Sequence, residues 1–210
     1  MNSVPSCRPN TVPVPAELVL ASSNPGKLAE FRVLAADAAP APRLSLLPNF
    51  SAIPAFEEIA DTFGENALGK ALYYSRHCNE IVFADDSGLV VPALDGAPGV
   101  HSARYAGPGA TNDQRIAKLL SALDVTPGAS RSAYFVCVIA AAKAGRGIAV
   151  VSDRVDGSIA SAPCGSGGFG YDPIFFFPPM RKTFAQLSSA EKNRHSHRGK
   201  AFLRLLAALS

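Results

Sequence analysis

The sequence predicts an α/β fold. Three observations carry that expectation. The apolar run Glu17 to Ser22 breaks into Ser-Asn-Pro-Gly-Lys and then into helical periodicity; Ile81 to Ala84 and Ser132 to Ala142 have strand length and composition; and helix-start signals recur between such runs. The chain has 210 residues, 48% apolar and 18% charged, enough to bury a sizeable core. Its longest apolar stretch, Ala133 to Ala142, falls well short of the roughly 20 residues a membrane-spanning helix needs. Met1 to Asn10 has no continuous apolar region of the kind that opens a secretory signal, so a cytoplasmic protein with no membrane partner is expected. Cys7, Cys78, Cys137 and Cys164 are too widely spaced for a zinc or redox pair. Twenty Lys and Arg against seventeen Asp and Glu leave a net charge of +3, too slight to argue for wrapping nucleic acid.

The elements follow in order. Glu17 to Ser22 is a strand, Asn24 can cap the next helix and Pro25 suits its first position, with Leu28, Phe31, Leu34 and Ala35 on one face. Leu44 to Leu47 is a second strand, followed by a Pro-punctuated loop that delivers Glu57 and Glu58. Thr62 and Glu65 have capping-box spacing before a helix that carries Lys70 and runs toward Cys78. Ile81 to Ala84 is a short strand expected to end at Asp85-Asp86-Ser87-Gly88, before a separate run, Leu89 to Val91. Thr111 and Gln114 start a helix ending near Leu123. Ser132 to Ala142 and Ile148 to Val155 form a hairpin through Gly145-Arg-Gly147. Gly165 to Gly170 is a glycine-rich loop leading into the strand Ile174 to Phe177. Ser188 and Ser196 cap the last two helices, the second turning Phe202, Leu205, Leu206 and Leu209 inward.

Several of these segments have the chemistry of a nucleotide site. Acidic residues and glycine are common wherever a strand turns, but Asp85 and Asp86 lie near the carboxylates of Glu57 and Glu58 in the expected fold. Neighbouring carboxylates repel when both ionise. Hard oxygen ligands from several loops are how Mg²⁺ is held beside a phosphate chain. Ser22 to Lys27 is not a P-loop, yet a helix N-terminus with a lysine one turn in suits triphosphate oxygens. Around Phe169 and Tyr171, small residues let backbone amides approach a flat ring. His197 and Arg198 offer N–H donors, which favour a 6-oxo purine over adenine. Guanine shares that oxygen, so its exclusion would need crowding at the 2-amino edge.

The order of these blocks resembles the inosine triphosphate pyrophosphatase family. The blocks are Ser-Asn-Pro-Gly-Lys after the first strand, Thr62-Phe-Gly-Glu-Asn-Ala67 with Lys70, Phe83-Ala-Asp-Asp-Ser-Gly-Leu89, Gly96-Ala-Pro-Gly99 with Ser102-Ala-Arg-Tyr105, Gly167-Gly-Phe-Gly-Tyr-Asp-Pro173, and Ser196-His-Arg-Gly199. The likeness spans about Leu18 to Leu206. It implies an elongated α/β fold of two lobes around a central mixed sheet flanked by helices, a homodimer, a Mg²⁺ requirement, and hydrolysis of dITP, ITP and XTP to the monophosphate and pyrophosphate. Residues 1–14 would be a disordered tail and residues 15–210 a single domain. Carried over by motif, Ser22, Ser23, Asn24, Pro25, Gly26 and Lys27 bind phosphate, with Ser22-Ser23 standing where the family usually has Thr-Gly. Asp86 is the proton acceptor and a metal ligand, with a further metal carboxylate from Glu57 or Glu58. Ser87 touches substrate, and Lys70 neutralises phosphate. Phe169, Gly170, Tyr171 and Asp172 hold the base with Lys192, His197 and Arg198, while Lys27, Lys70 and Lys192 stabilise the leaving pyrophosphate. The alternatives are a related pyrophosphatase for pyrimidine or modified nucleotides, and an RNA-binding module using Arg181 to Arg198 with Phe184.

Overall fold

The computed structural model describes residues 15–22, 25–36, 41–126 and 128–210. The expected tail, Ser23 and Asn24 lie outside the described residues. The elements are β1 (Glu17–Leu20), α1 (Pro25–Ala36), β2 (Arg43–Leu46), α2 (Phe63–Tyr74), β3 (Ile81–Val90), α3 (Asn112–Asp124), β4 (Ser132–Lys143), β5 (Arg146–Ile159), β6 (Phe175–Phe177), β7 (Lys182–Thr183), α4 (Ser189–His195) and α5 (His197–Ala208). They build one mixed sheet in the order β2-β1-β3-β4-β5-β6-β7. β1 runs parallel to β2 and β3, and every later pairing is antiparallel. No described helix is long and apolar enough to cross a membrane.

Local signals set most helix starts. Thr111 and Gln114 exchange the two bonds of a capping box, as do Ser188 and Glu191. Thr62 accepts from the Glu65 amide, while the Glu65 carboxylate takes the Thr62 hydroxyl. Ser196 ends α4 through its N–H to Lys192 O and caps α5 through its hydroxyl to the Gly199 amide. One residue thus joins two helices with no spacer. Gly199 permits the joint, because a Cβ there would run into Asn193 O. The β4–β5 hairpin turns through Ala144 and Gly145 at φ 50° and 75°, one residue ahead of the expected turn.

The long hairpin carries two lobes. On one face of its β1 end, α1 and α5 pack Phe31, Phe83 and Phe202 with centroids 4.9 to 5.7 Å apart. On the opposite face α2 buries Ala67, Ala71 and Tyr74 against Val82, Ala84 and Ala140. At the other end, Phe135, Phe175, Phe177 and Phe184 pack with Ile116 and Leu119 of α3. Phe202, Leu205, Leu206 and Leu209 all point inward, as their spacing predicts.

β3 corrects one expectation. It does not stop at Ala84; it is a single ten-residue strand that continues through Asp85 and Asp86, paired with Ile139 and Val138 of β4. The unbroken β4 ladder satisfies the backbone there, so polar side chains alone do not end the strand. β1 is shorter, and its last register pair is Leu20 with Phe83. Beyond Phe83 β3 therefore has no strand on its β1 side among the described residues.

A short 3₁₀ turn, Gly99–Arg104, docks on β3 at Gly88. Ser102 Oγ accepts from the Leu89 amide at 3.0 Å and donates to Gly99 O at 2.7 Å. A Cβ on Gly88 would lie 2.5 Å from both Gly99 O and Ser102 Oγ, and 2.9 Å from the Phe63 ring. Gly88→Ala is therefore expected to destabilise the fold by about 1–3 kcal/mol, read as a lower midpoint in urea. An unchanged midpoint would mean that the turn can retreat freely.

Candidate active site

Because β3 is continuous, strand alternation sends Asp85 and Asp86 to opposite faces of the sheet. Asp85 points to the α1/α5 face, and Asp86 to the α2 face. The two carboxylates then experience contrary electrostatics.

Asp85 is buried. Lys27 Nζ from α1 sits 2.8 and 3.0 Å from its two oxygens, and Arg198 Nε from α5 is 3.4 Å away. Arg198 Nη1 also donates to Glu30 at 2.8 Å and Nη2 to Ser87 Oγ at 3.2 Å. Burial alone would push Asp85 up, but Lys27, Arg198 and Lys70 together hold it well below the usual carboxylate range. Burial likewise disfavours the Arg198 charge, and Asp85 and Glu30 more than restore it.

Asp86 is 8% exposed, and its Oδ2 has no hydrogen-bond partner among the described residues. Burial raises its pKa to about 6, Glu58 and Asp85 add to the rise, and Lys70 and an Asn66 hydrogen bond oppose it. Asn66 and Lys70 stand one turn apart on α2 and so share a face. Lys70 Nζ donates to Glu58 Oε1 at 2.7 Å and to the backbone O of Asp85 at 2.8 Å. That carbonyl lies on the stretch of β3 that β1 does not cover. Burial lowers the Lys70 pKa, but Asp85, Glu58 and Asp86 outweigh it, so the net shift is upward and the lysine stays charged. Of the two candidate metal glutamates, Glu58 reaches this cluster; Glu57 is exposed and makes no salt bridge among the described residues. No three His, Cys, Asp or Glu among the described residues form a ready metal cage.

On the α1/α5 face a cleft of about 200 Å³ opens. Phe169, 51% exposed, forms part of its wall, with Lys192 Nζ 4.4 Å and the Arg198 guanidinium 5.3 Å from the ring centroid. Asp172 fixes both partners, accepting from Lys192 Nζ at 2.6 Å and from the Phe169 amide at 2.8 Å. Burial raises the Asp172 pKa, and Lys192 only partly counters it. Gly170 and Ser87 line the same cleft. His197 is buried, stacked on Phe135 at 4.7 Å and 11°, and its Nδ1 has no partner among the described residues. Burial first, then the charges of Arg198 and Lys192, push its pKa well below 6.5, so the ring is neutral.

The predicted residues thus fall into two groups on either side of β3. Lys27, Ser87, Phe169, Gly170, Asp172, Lys192, His197 and Arg198 meet at the cleft, while Asp86, Lys70 and Glu58 meet on the α2 face. The uncovered stretch of β3, beyond the end of β1, lies between them. Tyr171 lines the cleft but is 4% exposed, with its hydroxyl donated to Ser102 O at 2.9 Å. Lys192 is tied to Asp172 and stands over the Phe169 ring. The motifs did not mark Glu30, Asn112, Arg115 or Phe135. Glu30 was readable as the residue one turn after Lys27, whereas the others reach the site only through tertiary packing.

The Ham1 family matches residues 18–208 of this chain. A dITP/XTP pyrophosphatase from Geobacillus kaustophilus is 50% identical over 189 residues, covering 90% of this chain and 92% of that protein. One from Gloeobacter violaceus is 48% identical over 92% of this chain and 94% of its own length. The solved structure of a HAM1 protein from Coxiella burnetii superimposes with a TM-score of 0.83 at 43% identity, covering 92% of this chain and 98% of that one.

The neutral imidazole gives a testable sign. Unfolded histidine takes a proton near pH 6.5 and folded His197 does not, so this group's contribution to stability is present above that pH and is lost as the pH falls below it. The His197 Hε1 resonance, assigned from the spectrum of His197→Gln, is expected to stay nearly fixed between about pH 8 and about 6. A full titration centred near 6.5 would contradict the burial argument.

Proposed function

The chain belongs to the Ham1 family, and from that premise we propose that it hydrolyses dITP, ITP and XTP to the nucleoside monophosphate and pyrophosphate. Such an activity clears non-standard purine nucleotides from the precursor pool. The observation that carries the reading is a carboxylate of raised pKa, one of whose oxygens has no partner among the described residues, set near a charged lysine at the uncovered stretch of β3 and beside a donor-lined cleft on the other face.

The base would enter the cleft against Phe169, with the neutral His197 ring and the Arg198 side chain directed at its oxo group. Donors held in place before the ligand arrives discriminate by leaving an adenine amino group unpaired. The triphosphate would cross β3 by the loop at the carboxyl end of β1, the position where open α/β sheets usually bind ligands. Lys27 lies at that crossing, where the α1 N-terminus also favours anions.

Asp86 would take the proton from the attacking water. With a pKa raised to about 6 it is mostly ionised at neutral pH, yet more basic than an ordinary aspartate. Lys70 keeps its charge and is placed to offset the negative charge that develops on the phosphates. Asp86 and Glu58 fit Mg²⁺, which accepts one or two carboxylates and completes its shell with water and substrate phosphates, and the buried Asp86 Oδ2, without a hydrogen-bond partner among the described residues, would be one of its oxygen ligands. When bound, the ion supplies Lewis-acid neutralisation of phosphate charge. The reading includes a homodimer, which sedimentation of the purified chain tests.

Asp86→Asn is expected to lower turnover at least about 100-fold while nucleotide binding persists, measured as pyrophosphate release and as competition for a fluorescent nucleotide. Near wild-type turnover would remove Asp86 from the mechanism, and orthophosphate as the first product would mean cleavage at the terminal phosphorus. Glu58→Gln is expected to raise the Mg²⁺ concentration needed for half-maximal rate, and Glu57→Gln to leave it unmoved. Equal effects would return Glu57 to the metal site.

A further inference from the structure

The first turn of α3 contributes two side chains to the cleft, Asn112 and Arg115. Arg115 donates Nη1 to Asn112 Oδ1 at 3.1 Å and Nη2 to Ala110 O at 2.5 Å, which pins the guanidinium across the start of the helix. Its Nε is shielded from solvent and has no acceptor among the described residues. Native proteins leave few buried donors unmet, and each calls for an explanation. The guanidinium cannot accept a hydrogen bond or lose its charge, so it presents donors only. It is also close enough to the wall residue Tyr171 for its charge to act on the phenol.

We propose that Arg115 reads the 2-position of the purine, favouring the 2-oxo group of xanthine and rejecting the 2-amino group of guanine. The inference rests on the pyrophosphatase reading and deepens it. His197 and Arg198 face an oxygen common to hypoxanthine, xanthine and guanine, so they cannot separate the three bases. The 2-position separates them by hydrogen-bond type: xanthine carries an acceptor, hypoxanthine a hydrogen, and guanine a donor. A donor-only side chain pairs with the first, tolerates the second, and leaves two donors facing each other in the third. Steric crowding alone would exclude guanine but would also penalise xanthine, which is no smaller at that position.

The test compares kcat/KM for XTP, ITP and GTP in the wild type, Arg115→Met and Arg115→Lys. Methionine keeps an apolar stem and removes the donors, so the XTP-to-ITP ratio is expected to fall about tenfold or more and the GTP-to-ITP ratio to rise. Lysine keeps a charged donor without the planar fork and is expected to fall between the other two. Unchanged ratios in both variants, with unfolding midpoints showing them folded, would overturn the assignment. Inhibition of wild-type ITP turnover by XMP, IMP and GMP gives a reading that needs no variant. XMP is expected to compete about tenfold better than GMP, and equal inhibition would again overturn it. A wild-type protein that releases pyrophosphate from neither ITP nor XTP would instead bring down the functional reading itself.

Discussion

The arrangement turns on one buried carboxylate. Asp85 sits within a sheet and is ionised there because Lys27, Arg198 and Lys70 outweigh its burial, the first two reaching it from two different helices. Removing one partner from a buried ion pair typically costs about 3–5 kcal/mol, because an uncompensated charge is left behind. Neither helix can therefore drift from β3 without that penalty. α1 and α5 are held by the same charge, and Glu30 closes the group by taking another Arg198 donor. The Phe31, Phe83 and Phe202 cluster packs beneath as part of the surrounding apolar core, but aromatic contact tolerates small slips that charged hydrogen bonds do not.

That constraint also makes its neighbour chemically useful. Asp86 projects from the same strand to the face where Lys70 is the nearby cation and Glu58 a competing anion, and burial drives its pKa upward. Two adjacent aspartates are thus pushed in contrary directions by environment alone. Environments that push paired titratable groups apart are how proteins assign different roles to like residues. Here one is held ionised as an anchor and the other is made more basic than an ordinary aspartate. The divider between them is a strand whose β1 neighbour has already ended.

The ring side follows the same logic at smaller scale. Arg198, committed to Asp85, Glu30 and Ser87, is a fixed charge, and that fixed charge helps to keep the adjacent His197 neutral. The neutral ring lies flat on Phe135, which orients it, and its Nδ1 has no hydrogen-bond partner among the described residues. Rigid donors of this kind pay little reorganisation when a ligand arrives. Ser196 makes the placement possible, since it stops α4 and starts α5 within one residue and so brings Lys192 and Arg198 to the same wall.

Local chemistry was legible in the chain itself. The caps at Thr62, Thr111, Ser188 and Ser196 depend on residues three positions apart, and the inward face of α5 depends on a 3.6-residue period, so neighbours in sequence determined them. The family blocks marked most of the residues that line the cleft. Tertiary structure decided the rest. Whether β3 would pass through two aspartates depended on β4, more than fifty residues away, supplying an unbroken ladder. Whether Glu57 or Glu58 would face Asp86 depended on where a loop meets α2. Arg115 joined the cleft because α3 packs beside it, a fact that no local pattern records. Short-range hydrogen bonding and periodicity are properties of a segment, whereas pKa values and pocket walls are set by charges and surfaces brought together from distant parts of the chain.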